Sequence, residues 1–128
     1  MVQTDISQLS KECSGWRETL HSLRDEFHQH QTTLQSAVKA QLSKEQQTEL
    51  EHFQNQLHIQ LINIHDLKQA VKAHDKQVNF EVSGGAGISE VTAANHEELY
   101  GQYQSLETTL NELRDGFRNF VSSLSSKN

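Results

Sequence analysis

Apolar side chains recur at steps of three and four residues along three long stretches of this chain, and not one proline interrupts them. Steps that alternate between three and four place those groups on a single stripe of an α-helix facing a partner helix. A chain without proline also lacks the strongest helix breaker. The first stripe runs Ile6, Leu9, Cys13, Trp16, Leu20, Leu23, Phe27, His30, Leu34 and Ala37. The second runs Leu50, Phe53, Leu57, Leu61, Ile64, Leu67, Val71, His74 and Val78, and the third Leu99, Tyr103, Leu106, Leu110, Leu113, Phe117, Phe120 and Leu124. The pattern predicts an all-α fold, one domain over residues 1–128. It is expected to be an up-down-up antiparallel three-helix bundle of long, coiled-coil-like helices that cross at about +20°. Apolar residues make up only 34% of the chain and mean hydropathy is −0.73. Such values also occur in disordered chains, but disorder does not require a regular stripe.

Local signals divide the chain into helices over about 4–41, 44–78 and 90–124. Ser43 followed three residues later by Gln46 forms a capping box, in which each side chain satisfies a free backbone N–H of the other residue. The short connection before it makes the first two helices antiparallel neighbours. The second boundary is a glycine-rich loop over 79–89, containing Gly84, Gly85 and Gly87. It carries neither the Lys-Ser/Thr ending nor the strand-loop-helix setting of a phosphate loop, and reads as a flexible connection. Ser89 or Asn95 begins the third helix, since both are good N-caps. Gly15 is the one weak point inside the first. The pattern Leu-x-x-Leu-Arg-Asp-x-Phe occurs twice, at 20–27 and 110–117. Either a duplication or two helices adapted to the same seam explains it.

The formal charge is −6, with acidic and basic residues interspersed. That balance is a poor match to a phosphate backbone, so no nucleic-acid partner is expected. No apolar run reaches the roughly 20 residues of a membrane span, and the first residues lack a basic region followed by an apolar one. The single Cys13 falls on the core stripe, where it acts as a small buried hydrophobe, and it has no second cysteine to pair with. A reducing, cytoplasmic compartment follows as the expectation.

Eight histidines are the unusual feature of the composition. Two Glu-x-x-His pairs, Glu18/His21 and Glu49/His52, have the spacing of carboxylate-bridged di-iron bundles. The stripe turns both pairs outward, and hairpin register separates them by about 18 Å along the axis at 1.5 Å per residue. His21/His28 and His58/His65 lie seven apart on one face, about 10 Å from each other, too far to chelate one ion. No metal or other cofactor is therefore expected. His30 and His74 fall on the core stripe and should be hydrogen-bonded across the bundle, His30 near Gln54 or Asn55 and His74 near Lys11 or Glu12. No assembled catalytic group stands out, so the chain reads as non-enzymatic.

His65-Asp66-Leu67-Lys68-Gln69 resembles the His-x-Leu-Lys-Gly core of histidine phosphotransfer domains, which are helical bundles of similar length. The resemblance implies His65 as phosphoacceptor with Lys68 beside the phosphate. Gln69 departs from it, standing where the pattern has the glycine that leaves room for a partner. A three-helix rod with Trp16 in its first helix also resembles spectrin-type repeats in architecture. The feature that points to a partner is different. Ile59 and Ile62 lie one turn apart on the side of the second helix away from its core stripe, and a helix apolar on two sides is usually covered on both. The loop near 80–88 or the chain start is free to cover them; otherwise another chain does. A non-enzymatic interaction or structural protein is the expectation, self-associating or binding a protein partner through Ile59 and Ile62. A His65-based phosphotransfer module and a His-mediated metal-binding bundle are the alternatives.

Overall fold

The computed structural model describes residues 6–37, 41–85 and 87–125, and these form three helices: α1 (Ile6–Ala37), α2 (Lys44–Ser83) and α3 (Glu90–Ser125). Among the described residues there is no strand, and the architecture is the all-α three-helix bundle that the stripes require. Pairings across helices fix the directions. Phe53 of α2 stacks against Phe120 of α3, while His74, farther along α2, meets His96, farther back on α3, so α2 and α3 are antiparallel. Glu12 meets His96 and Glu26 meets Arg114, so α1 and α3 run the same way.

The core is the seam where the three stripes converge. Leu20, Phe27, Leu34, Leu57, Ile64, Val71 and Leu110 are fully buried in it. Leu61 is only partly buried, and Gln60 takes the inward position instead. The inward set of α2 is Leu50, Phe53, Leu57, Gln60, Ile64, Leu67, Val71, His74 and Val78, an unbroken alternation of three and four. Helix geometry dictates that set, so a glutamine is carried inward where the period demands it. Asn63 Nδ2 donates to Gln60 Oε1 at 3.1 Å and satisfies part of its side chain.

Helix α2 outruns the expected 44–78 span and ends at Ser83, so 79–83 is helix and the connection to α3 is only Gly84 to Ser89. Nothing in Asn79-Phe80-Glu81-Val82-Ser83 stops a helix; the first residue that does is Gly84. Gly85 and Gly87 both adopt left-handed backbone, φ 78° and 79°, a region open to glycine at little cost. Helix α1 ends short of 41: Gln41 to Ser43 are non-helical, while 4–5 and 38–40 lie outside the described residues. The Ser43–Gln46 capping box forms as read, with Gln46 N donating to Ser43 Oγ at 3.1 Å and Ser43 N donating to Gln46 Oε1 at 2.9 Å.

Of the two candidate caps of α3, Ser89 is the one used, its Oγ accepting from Thr92 N at 3.2 Å. A carboxylate from α2 completes the cap. Glu81 accepts from Ser89 N at 2.7 Å, from Gln77 Nε2 at 2.7 Å and from the Thr92 hydroxyl. These bonds to backbone and side chains hold its carboxyl at a pKa of about 2.

Gly15 and Gly101 lie inside helices on exposed positions, and a Cβ at either meets nothing within 4 Å. Replacing each by Ala removes backbone entropy from the unfolded chain without a clash. The double variant Gly15→Ala/Gly101→Ala is expected to gain about 1–2 kcal/mol, read as a Tm several degrees above the parent in thermal denaturation.

Candidate functional site

At the end of the bundle that carries the glycine connection, the seam stops being purely apolar. Position 13 of α1, position 74 of α2 and position 96 of α3 all turn inward at one level, which brings Cys13, His74 and His96 together with relative exposures of 0%, 7% and 2%. The Cys13 sulfur and one ring nitrogen from each histidine all lie within 4.8 Å of one another. His74 Nε2 and His96 Nδ1 are 2.9 Å apart, and His96 Nε2 is 3.0 Å from Glu12 Oε1. A carboxylate only accepts, so His96 donates its Nε2–H to Glu12; in the neutral ring Nδ1 is then the acceptor facing the His74 Nε2–H. Glu12 is part-exposed on its side of the bundle, so the relay runs from solvent inward.

The His96 ring is clamped by packing as well as by hydrogen bonds. Trp16 stacks on it at a centroid distance of 4.8 Å, and the His74 ring lies against it at 5.0 Å. Tyr100 and Tyr103 in turn stack on Trp16 at 5.9 and 5.8 Å. On the other flank the Arg17 guanidinium lies 3.5 Å from the Asp75 carboxylate and ties α1 to α2. Burial pushes the Cys13 thiol up to about 11, reinforced by the Asp75 charge. Burial is also the largest influence on His74 and lowers its pKa; His96 adds to that, and Asp75 and Glu81 oppose it. The cluster thus holds a neutral thiol beside a neutral imidazole. Sulfur and imidazole nitrogen are the donor types of borderline-soft divalent metals.

A second polar crossing lies farther down the α1–α3 contact. Arg114 Nε and Nη2 donate to the two Glu26 oxygens at 2.6 and 2.7 Å, a bidentate pair, and His30 Nε2 lies 2.9 Å from Glu26 Oε2. His30 packs on Phe117 at 4.5 Å. The expectation that His30 meets Gln54 or Asn55 of α2 is corrected here: its hydrogen-bond partner is on its own helix, one turn back, and its ring faces α3. A third helix competes for the same side chain, which hairpin register alone does not include.

Glu18, His21, Glu49 and His52 are all exposed, as the stripe requires, and form no cluster. His65 is exposed on α2; Lys68 is half-buried and lines a groove with Arg17, His21 and Lys72. Ile59 and Ile62 are exposed at 39% and 47%. His74 sits one residue from the expected contact, beside Cys13, and reaches Glu12 through His96. By periodicity Cys13 and His74 fall on separate core stripes, and His96 lies before the third apolar stripe begins at Leu99. The signal for His96 is present: continuing the third stripe backwards from Leu99 by three and then four gives His96 and Thr92, and both are buried. No helix among the described residues is long and apolar enough to cross a membrane. The chain matches no protein-family model, and comparison with curated proteins and with solved structures returns no match.

The Arg114 guanidinium, with His30 assisting, holds the Glu26 carboxyl below its ordinary value of 4.5. The native state therefore binds that proton less readily than the unfolded chain. The stabilisation is complete above 4.5 and is lost as pH falls through the lowered native value. Arg114→Ala is expected to cost about 1 kcal/mol at neutral pH, given partial exposure. The difference from the parent should shrink as chemical denaturation is repeated below pH 4.5.

Proposed function

We propose that this chain is a non-enzymatic helical interaction module that associates through the outer flank of α2, with a further copy of itself or with another protein. Exposed Ile59 and Ile62 carry the reading. They lie one turn apart on a helix whose inner side is already filled by the seam. The loop offered as their intramolecular cover begins at Gly84, 22 residues past Ile62 (84 − 62), about 33 Å along the helix at 1.5 Å per residue. The first described residues of α1 lie towards that same end, since they precede Cys13, which sits beside His74. None of the described residues of these two segments lies at the level of the two isoleucines, which favours an outside surface as their cover.

Two part-exposed isoleucines are far less than the roughly 800 Å² per partner of a standard interface. They fit the role of a central anchor, with the polar flank of α2 as its rim. A reducing, cytoplasmic setting suits the free buried Cys13. The double variant Ile59→Glu/Ile62→Glu is expected to keep the parent's helical circular dichroism, because both positions point away from the seam. It should lower the solution mass from an oligomer to a monomer in light scattering. A parent already monomeric, with the same mass as the variant, would defeat self-association. An unchanged oligomer in the variant would move the contact off this flank.

A further inference from the structure

We propose that Cys13, His74 and His96 form a binding site for one zinc-class divalent metal ion, with Glu12 as a positioning residue behind His96. The proposal is independent of the reading of α2's outer flank, and neither depends on the other.

The donor set comes first. One thiol and two imidazoles, each from a different helix, converge with their ligand atoms within 4.8 Å of one another. In a tetrahedral zinc site, bond lengths of about 2.0–2.3 Å set ligand atoms about 3.3–3.7 Å apart. The His74–His96 nitrogens at 2.9 Å would open by a few tenths of an ångström, and the sulfur would close by up to roughly 1.5 Å.

The surroundings come second. A metal-bound histidine characteristically donates its other ring N–H to a carboxylate, which fixes the ring and strengthens the donor. His96 shows that arrangement: Nδ1 faces the cluster and Nε2 faces Glu12 at 3.0 Å. Trp16 stacked on the ring removes the remaining rotational freedom. His74 lines a groove between α2 and α3 with Gln77, Asn95 and Glu98, which gives an ion a route from solvent.

Proton balance follows from the hydrogen bonds. On binding, the Cys13 thiol releases its proton to solvent and its thiolate ligates. The His74 ring gives up the Nε2–H···Nδ1 bond and carries its proton on Nδ1, leaving Nε2 for the ion. One proton leaves per ion. Ion plus thiolate adds one positive charge, opposite the Glu12 carboxylate. Three protein donors leave one tetrahedral position for water.

The sequence contains one cysteine and one tryptophan, and both lie in this cluster, so the spectroscopy is unambiguous. The full-length chain without an affinity tag, kept reduced with a phosphine, is titrated with Co²⁺ and then with Zn²⁺. One equivalent of Co²⁺ should give a thiolate-to-cobalt charge-transfer band and intense visible bands of tetrahedral cobalt, and alter Trp16 fluorescence. Zn²⁺ should then abolish the cobalt bands. Cys13→Ser should lose the charge-transfer band while keeping the parent's helical circular dichroism. His74→Gln should weaken Zn²⁺ binding in calorimetry by at least 100-fold, and Glu12→Gln by about 10–100-fold. If His74→Gln unfolds, Cys13→Ser carries the test alone. Cobalt uptake by the folded parent without a charge-transfer band assigns binding to the exposed histidines and overturns the proposal, as does Zn²⁺ affinity unchanged by Cys13→Ser.

Discussion

The alternation of three and four along each helix is the constraint on which every other feature rests. It puts three stripes on one axis and fixes, level by level, which side chains share the interior. Polar residues follow the same rule as leucines. Gln60 is drawn inward between Leu57 and Ile64, Thr92 and His96 before Leu99, and His74 between Val71 and Val78. Each must then find a partner within reach, since an unsatisfied buried polar group costs about 1–3 kcal/mol. Gln60 takes Asn63, Thr92 takes Glu81, and the two imidazoles take each other and Glu12. The polar contacts of this bundle are consequences of the period as much as of the residues.

The two ends of the seam solve the problem of histidine differently. Around His30 the neighbours are Phe27, Phe117 and the Glu26–Arg114 pair, so the ring sits on aromatic edges with a strong ion pair beside it. Around His96 the neighbours are a second imidazole, a thiol and an indole, and the nearest carboxylate stands at the rim of the bundle. The first setting is closed by opposite charges. The second gathers electron-pair donors, with the Arg17 guanidinium engaged by Asp75 on its flank, and that asymmetry singles it out chemically.

Most of the architecture was legible in the residues. The stripe of α1 from Leu9 to Leu34 and the Ser43–Gln46 cap needed only local rules, and both appear as read. What escaped depends on contacts between elements. Hydrophobicity marks the third stripe only from Leu99, whereas burial starts at Thr92, where the inward residues are polar. The composition changes after Val78, but helix propensity carries α2 on to the first glycine. A two-helix hairpin points His30 at α2, whereas in the bundle its ring packs on Phe117 of α3. The repeated Leu-x-x-Leu-Arg-Asp-x-Phe segments both serve the seam, yet the Arg-Asp part diverges in use. Arg114 binds Glu26 across helices, while Arg24 reaches only its neighbour Asp25 at 3.5 Å.

The connection between α2 and α3 has a bearing on how the chain avoids tangling with its neighbours. Gly85 and Gly87 in it adopt left-handed backbone, and Glu81 grips the first residues of the returning helix from the helix just finished. For α3 to leave its own hairpin and lodge in another molecule, that elbow would have to straighten and the carboxylate would have to release both Ser89 and Thr92. Exchange of helices between copies would therefore have to break these contacts first.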